Sequence, residues 1–135
     1  MEPQLPYINH KDDMISAKTL VRLGYPAVSR RLGHMMEWTA DSNWPVASVL
    51  MSFLSSLGDP VVPEIQKVLR GDDLTSKYSC ISNIITFMPK DAAVYFRKDL
   101  ERLANRPTKE EIEEELHEVA QSALAELDWR EMEGV

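Results

Sequence analysis

Cysteine, membrane-spanning runs and targeting signals are nearly or wholly missing from this sequence. Cys80 is the single cysteine, so no disulfide can form within the chain. No apolar run approaches the 18 or more residues that a membrane helix needs. The first residues show no basic segment followed by an apolar stretch, which a signal peptide requires. We therefore expect a cytoplasmic protein.

Signatures of catalysis and of metal binding are also missing. No glycine-rich phosphate loop is present, and His10, His34 and His117 are scattered, without a His-Glu-x-x-His pattern. Glu113 and His117 stand one helical turn apart, but two ligands on one exposed face make a weak metal site. Cys80 lies in the most apolar segment, where burial raises a thiol pKa and makes it inert. We expect no catalytic residue, no cofactor and no metal, and so no enzyme.

Basic residues are fewer than acidic residues, and the net charge is unevenly distributed along the chain. The net charge is −7. Residues 1–106 balance at +1, whereas residues 107–135 carry Lys109 and Arg130 against 10 acids. A nucleic-acid binder needs a basic surface, so that class is disfavoured. The acidic last segment suits a basic protein partner, or serves solubility.

Apolar residues recur at helical spacing in every segment, and none alternates long enough to make a strand. We predict one all-α domain over residues 1–135, in which residues 107–135 form an acidic last helix and a short tail. Short loops imply antiparallel neighbouring helices. About seven helices are predicted, with starts near Asp12-Asp13, Pro26, Pro45 (after Trp44 as N-cap), Asp59-Pro60, Asp72-Asp73, Lys90 and Thr108.

The apolar positions also predict which side chains are buried. The fifth helix is apolar on two faces, so we expect it at the centre of the fold. The last helix should run without interruption from its capping box, Thr108 to Glu111. Residues expected in the core include Ile15, Leu20 and Leu23 in the first helix, Tyr78, Ile81, Ile85, Met88, Cys80, Ile84 and Phe87 in the fifth, Val94 and Tyr95 in the sixth, and Ile112, Leu116, Val119 and Leu127 in the last.

A repeat relates the third and fourth helices to the fifth and sixth. A shift of 34 residues places the segment 44–69 on the segment 78–103, so that Leu50 meets Ile84, Leu54 meets Met88, and Val61 meets Tyr95. A period of this length in a helical pattern is typical of stacked helix pairs, because one pair cannot bury its apolar face alone. We predict a right-handed α-solenoid of about three hairpins, HEAT-like in length.

Short sequence runs across residues 6–104 point the same way. They are Asp12-Asp13, Tyr25-Pro26-Ala27-Val28, Glu37-Trp38, Asn43-Trp44-Pro45-Val46-Ala47, Pro63-Glu64-Ile65 and Lys77-Tyr78. In these the chain resembles an uncharacterised bacterial family of small HEAT-like helical-repeat proteins. The resemblance implies an all-helical fold with no assigned catalytic residue. Proteins of this size and shape are similar to immunity or adaptor proteins of bacterial competition systems.

Two features are candidate partner-binding sites. Trp38 and Trp44 flank a polar loop, and they either plug the space between two hairpins or anchor an interface, where tryptophan is frequent. The second feature is the acidic last helix, whose like charges at i, i+4 spacing destabilise it without a visible compensation. It either is a solvated face or binds a partner, and its residues are Glu110, Glu111, Glu114, Glu115 and Glu118.

These observations favour a non-enzymatic protein-binding module that presents an acidic helix to a basic partner. An immunity or antitoxin-like inhibitor is one form of such a module. A structural or oligomerising adaptor that uses an apolar end of the solenoid is the alternative, and an enzyme with an unrecognised site is the third. We expect no binding to nucleic acid or membrane. The sequence leaves the oligomeric state open.

Overall fold

The computed structural model describes residues 4–133, and within them it is all-helical, with no strand. The prediction of an all-α chain is confirmed. Four 3₁₀ segments lead into or follow the α-helices, at Ser29–Arg31, Asp59–Val61, Ile85–Phe87 and Val94–Phe96. The α-helices are α1 (Met14–Leu23), α2 (Leu32–Glu37), α3 (Pro45–Leu57), α4 (Val62–Arg70), α5 (Leu74–Asn83), α6 (Lys90–Ala93), α7 (Arg97–Asn105), α8 (Lys109–Glu113) and α9 (Leu116–Glu133).

The helix starts that local sequence predicts are largely present. The side chains of Asp13 and Asp73 accept hydrogen bonds from the backbone N–H groups three residues ahead, as N-caps do. Trp44 is the N-cap of α3, with Pro45 as its first residue. The Thr108 capping box at the start of α8 is complete. These starts are set within one turn of backbone, so the sequence alone reveals them.

The second and sixth predicted helices differ from the prediction. Pro26 does not begin a helix: it follows a cis peptide bond in a turn, and α2 starts six residues later, at Leu32. The sixth helix is divided into α6, a 3₁₀ segment and α7. Side chains in a 3₁₀ segment point in directions that a 3.6-residue period does not reproduce. Val94 and Tyr95 are therefore exposed, contrary to the prediction, and Phe96 is the buried residue of that segment.

The predicted shift of 34 residues relates buried side chains, but it does not superpose the bounds of α3 (Pro45–Leu57) and α5 (Leu74–Asn83). Leu50 and Ile84 are both buried, as are Leu54 and Met88. After the turn, however, the 3₁₀ segments and helices recur at a spacing of 35 residues, from Asp59–Val61 and α4 to Val94–Phe96 and α7. This spacing relates Val61 to Phe96 and Ile65 to Leu100, all fully buried. The predicted partner of Val61, Tyr95, lies on the surface.

Most of the remaining core predictions are confirmed, with exceptions near helix ends and at Tyr78 in the middle of α5. Leu20, Ile81, Ile84, Ile85, Met88, Leu116 and Leu127 are buried, and α5 packs against both α4 and α9. Ile15 is 84% exposed, and Leu23, Tyr78 and Phe87 are also exposed. Phe87 faces solvent because α5 ends at Asn83 and the chain continues as a 3₁₀ segment. Val119 is partly buried against the core.

The last predicted helix is two helices. The chain breaks after α8, where Glu114 is the C-cap and Glu115 has a φ of 60°. An uninterrupted helix would place Ile112 and Leu116 on one face. The break instead buries Leu116 and leaves Ile112 48% exposed. The prediction of a continuous core stripe from Ile112 is therefore wrong.

Helix α9 lies against two earlier helices. It packs along α7 and against α5. Arg130 donates hydrogen bonds to the carbonyl oxygens of Thr86 and Met88, and Arg97 of α7 forms ion pairs with Asp128 and Glu131. These bonds fix α9 relative to both helices, so α8 is held between two well-packed elements.

Among the described residues, one pair of consecutive helical segments has the composition of a membrane span, and the chain is bent between the two. No single helix among residues 4–133 combines the length and hydropathy of a membrane span. The segments Pro45–Leu57 and Asp59–Arg70 reach the length and composition of a membrane span only when they are taken together. The chain bends by 115° between them.

Candidate functional site

Five exposed glutamates lie close together in the chain, in α8, in the break after it and in the first turn of α9. They are Glu110, Glu113, Glu114, Glu115 and Glu118, and we call them the acidic surface. In the described part of the chain, the only basic side chain within ion-pair distance of any of them is His117, whose Nε2 lies 3.9 Å from Glu118. The acidic surface therefore presents carboxylates to solvent without internal compensation. Glu113 was not among the predicted binding residues, although its place in the same run was visible.

Glu111, which the sequence groups with these acids, lies elsewhere. It is 4% exposed, and its two oxygens accept hydrogen bonds from Arg102 at 3.1 and 2.6 Å. Oε1 also accepts a hydrogen bond from the backbone N–H of Thr108. The hydrogen bonds from Arg102 hold the pKa of Glu111 at about 2, although burial opposes the shift. Glu111 therefore anchors α8 to α7 and does not belong to the acidic surface.

A buried lysine lies close to this anchor. Lys77 of α5 is buried, and its charge contributes to the lowered pKa of Glu111. A cation on α5 and another on α7 thus both favour the ionised form of one carboxylate of α8. The start of the acidic segment is held in place by charge as well as by its capping box.

Trp38 and Trp44 pack together rather than standing out as surface anchors. Their ring centroids are 5.4 Å apart with an interplanar angle of 57°. Both side chains are partly buried against the core. The adjacent backbone is tied to α5, because Ser79 donates a buried hydrogen bond to the carbonyl oxygen of Thr39 at 2.8 Å. The two rings therefore pack against each other and against the core.

The loop between the two tryptophans meets the acidic surface. A small groove of about 280 Å³ is lined by Ala40, Asp41, Ser42, Asn43, Thr75, Tyr78, Ser79 and Glu114. The two candidate regions that the sequence singled out are therefore neighbours in space. Glu114 belongs to both the small groove and the acidic surface, and Tyr78 supplies an exposed aromatic ring.

A large groove of about 620 Å³ opens on the side formed by α2, α4 and the start of α5. Its charged and polar lining includes Arg30, His34, Glu37, Glu64, Lys67, Asp72 and Asp73, and Met36, Val68 and Cys80 supply apolar surface. A Cβ atom at Gly33 would lie 3.0 Å from Oε2 of Glu64, so glycine lets this carboxylate lie against α2. Sequence reasoning missed this groove because its walls come from segments far apart in the chain.

The groups that could carry chemistry are few. Burial raises the pKa of Cys80 to about 12, so its thiol is protonated at neutral pH. Nε2 of His34 accepts a hydrogen bond from the backbone N–H of Ile8 at 2.8 Å. Within residues 4–133, no three His, Cys, Asp or Glu side chains come together as metal ligands would.

Comparison with known proteins places the chain in a family. No curated protein matches it. A family model described as a domain of unknown function (DUF5071) matches residues 7–124. The match extends past residues 6–104 and takes in α8 and the first half of α9. The chain therefore belongs to the uncharacterised DUF5071 family.

Proposed function

We propose that this protein is a non-enzymatic protein-binding module whose acidic surface docks a basic partner protein. One observation carries the proposal: five exposed glutamates lie within the nine residues 110–118, and the described part of the chain offers them only His117 as a nearby base. Such a patch attracts basic partners and accelerates their association.

The platform under the acidic surface is rigid, which supports a binding role. Helix α8 begins at a complete capping box, and Glu111 joins it to Arg102 by two hydrogen bonds. Leu116 begins α9 with a fully buried side chain. A surface that is ordered before binding loses less conformational entropy when a partner docks.

The architecture that we propose for this platform is a short right-handed, HEAT-like α-solenoid of three hairpins. The support is the recurrence of one pattern, in which a 3₁₀ segment leads directly into an α-helix, at Ser29–Glu37, Asp59–Arg70 and Val94–Asn105. Repeat stacks of this kind serve mainly as binding scaffolds. An immunity or antitoxin-like inhibitor that acts in the cytoplasm and binds a basic protein fits such a scaffold.

The test begins with capture of a partner from the source cell, followed by association kinetics. Glu114, Glu115 and Glu118 are reversed together to lysine. We expect the association rate to fall by about tenfold or more at low ionic strength, with a smaller change in dissociation rate. Raising the salt concentration should slow the wild type and affect the variant much less, because exposed charges are screened over about 8–10 Å at physiological ionic strength.

A matched control separates local charge from net charge. Asp12, Asp59 and Asp91 are exposed acids outside the acidic surface, and their reversal to lysine changes the net charge by the same amount. The control variant should associate at nearly the wild-type rate. If the wild type and both variants had equal association rates and equal dependence on salt concentration, the acidic surface would serve only solubility.

An oligomerising adaptor is the second candidate, and one specific observation favours it. Phe87, Trp129 and Met132 are 65%, 57% and 71% exposed. The bonds of Arg130 to Thr86 and Met88 bring the end of α9 beside the 3₁₀ segment that carries Phe87. Exposed apolar groups of this size are typical of interfaces. A mass measurement by light scattering over a concentration series would show a dimer that a Trp129→Ser variant does not form.

A further inference from the structure

We propose that the large and small grooves form one continuous channel that binds an extended, basic segment of the partner. This inference rests on the proposed function and specifies how the partner binds. The two grooves share Ala40, which lines both. The small groove in turn ends on Glu114 of the acidic surface. A segment lying in the channel would therefore emerge onto the exposed glutamates.

The dimensions fit a segment of polypeptide. The large groove has a volume of about 620 Å³ and the small groove about 280 Å³. Ligand sites typically measure about 300–1,000 Å³. Two grooves in series that share Ala40 suit an elongated ligand better than a compact one.

The charges along the channel select a basic ligand. Six acids line it, against Arg30, Lys67 and His34. Lys67 already forms an ion pair with Glu64 at 3.3 Å. The acids are Glu37, Glu64, Asp72 and Asp73 in the large groove, and Asp41 and Glu114 in the small groove. Lysine or arginine side chains of the segment would find carboxylates at both ends of the channel.

The lining selects for an apolar side chain as well. The large groove includes Met36, Val68 and Cys80, of which Val68 is the most accessible because the other two are almost wholly buried. The expected segment therefore carries an apolar residue between basic ones. An acidic peptide or a nucleic acid would meet repulsion from the same acids.

The junction of the channel is firmly held. The hydroxyl group of Ser79 bonds the carbonyl oxygen of Thr39, next to Ala40, and this bond is buried. The adjacent turn is closed by Asp41, whose side chain accepts a hydrogen bond from the backbone N–H of Asn43 at 2.8 Å. We expect these bonds to hold the junction in place before a ligand arrives, and a larger side chain at Ala40 to obstruct it.

The probe for the test is a fluorescein-labelled peptide of alternating lysine and alanine residues with one central leucine. Binding is measured by fluorescence anisotropy at low salt and mapped by amide chemical shifts of the ¹⁵N-labelled full chain. We expect shifts at Ala40, Asp41, Gly71 and Asp72, along both grooves. A peptide of glutamate in place of lysine should not bind.

Three variants make the test specific. Ala40→Trp should weaken peptide binding by about fivefold or more by closing the junction, whereas Ala125→Trp, at an exposed position of α9 outside both grooves, should not. The double variant Glu37→Lys with Asp72→Lys should weaken binding by about threefold to tenfold. Its control is the double variant Asp59→Lys with Asp91→Lys, which reverses two exposed acids outside the channel and changes the net charge equally. Circular dichroism confirms that each variant is folded.

The outcomes separate the channel from the acidic surface. If the changes in amide chemical shift were confined to residues 110–118 and Ala40→Trp bound the peptide as the wild type does, the channel would be overturned. The proposed function would be unaffected. Shifts along both grooves, together with an unchanged association rate for a variant that reverses only Glu115 and Glu118 and keeps the channel residue Glu114, would support the channel and contradict the role of the acidic surface. Absence of any lysine-dependent shift would overturn the channel.

Discussion

Arg102 and Glu111 form a bidentate ion pair that joins α7 to α8. Nη1 of Arg102 lies 3.1 Å from Oε1 of Glu111, and Nη2 lies 2.6 Å from Oε2. The glutamate is buried, whereas the arginine is partly open to solvent. Paired N–H groups facing both carboxylate oxygens make a strong, directional contact. The pair places the start of the acidic segment, and several consequences can be measured.

Glu111→Gln should lower the free energy of unfolding at neutral pH by about 3 kcal/mol. The pKa of Glu111 is lowered from 4.5 to about 2, and each unit of difference corresponds to about 1.4 kcal/mol. This stability is fully present above the unfolded pKa of 4.5 and is lost as the pH falls towards 2. Urea unfolding at pH 7 and near pH 2.5 should show the difference between wild type and variant shrinking in acid.

The control for this variant is Glu113→Gln, two residues away. Glu113 is exposed and has no hydrogen-bond or ion-pair partner for its side chain in the described part of the chain. Its substitution should change the free energy of unfolding by no more than about 0.5 kcal/mol. A difference between wild type and Glu111→Gln that stays constant at every pH would contradict the ion-pair account.

Ile81→Ala and Ile15→Ala make the same chemical change in opposite surroundings. Ile81 is fully buried in α5, whereas Ile15 is 84% exposed on α1. Ile81→Ala should lower the free energy of unfolding by about 2–5 kcal/mol, because a buried cavity remains. Ile15→Ala should lower it by less than about 0.5 kcal/mol. Midpoints of urea unfolding measure both. A tolerant Ile81 would mean that α5 is not at the centre.

His34 should make stability depend on pH near neutrality. Its Nε2 accepts the hydrogen bond from the N–H of Ile8, which requires the neutral ring. Burial lowers the pKa of His34, with the charge of Arg31 in the same direction and that of Glu37 opposed. The stability that the neutral His34 ring contributes is complete above its ordinary pKa of 6.5. It is lost as the pH falls through the lowered pKa of the folded state.

The measurement for His34 is the free energy of unfolding between pH 7 and pH 5. His34→Gln keeps an acceptor that does not titrate, so the slope over this range should flatten. An identical slope in wild type and His34→Gln would show that the ring does not hold the segment that contains Ile8.

Glu115→Gly should be neutral or stabilise the protein by up to about 1 kcal/mol. Glu115 has a φ of 60°, in the left-handed region that favours glycine. A non-glycine residue there costs about 1–2 kcal/mol, and the greater flexibility of glycine in the unfolded chain cancels part of that gain. Thermal unfolding measures the change. Glu114→Gly, at a φ of −91°, should instead destabilise the protein by about 0.5–1 kcal/mol.

Local sequence was sufficient to predict the structural features that depend on contacts within one helical turn. The caps at Asp13, Asp73 and Thr108, and the Trp44-Pro45 start of α3, depend on side chains three residues or fewer from the groups that they bind. Helical periodicity was enough to identify the all-α class and the burial of Leu50, Leu54 and Ile81, because long regular segments carry the pattern several times.

Tertiary contacts decided what the periodicity could not. The sequence shows Glu111 as one of a row of acids, but Arg102 removes it from the surface, and the bend at Glu115 turns Ile112 outward while Leu116 enters the core. The channel is built from α2, α4, α5 and the residue Glu114, which lie far apart along the chain. Local propensity acts over a few residues, whereas burial and charge pairing depend on which distant segments meet, so these features exist only in the folded chain.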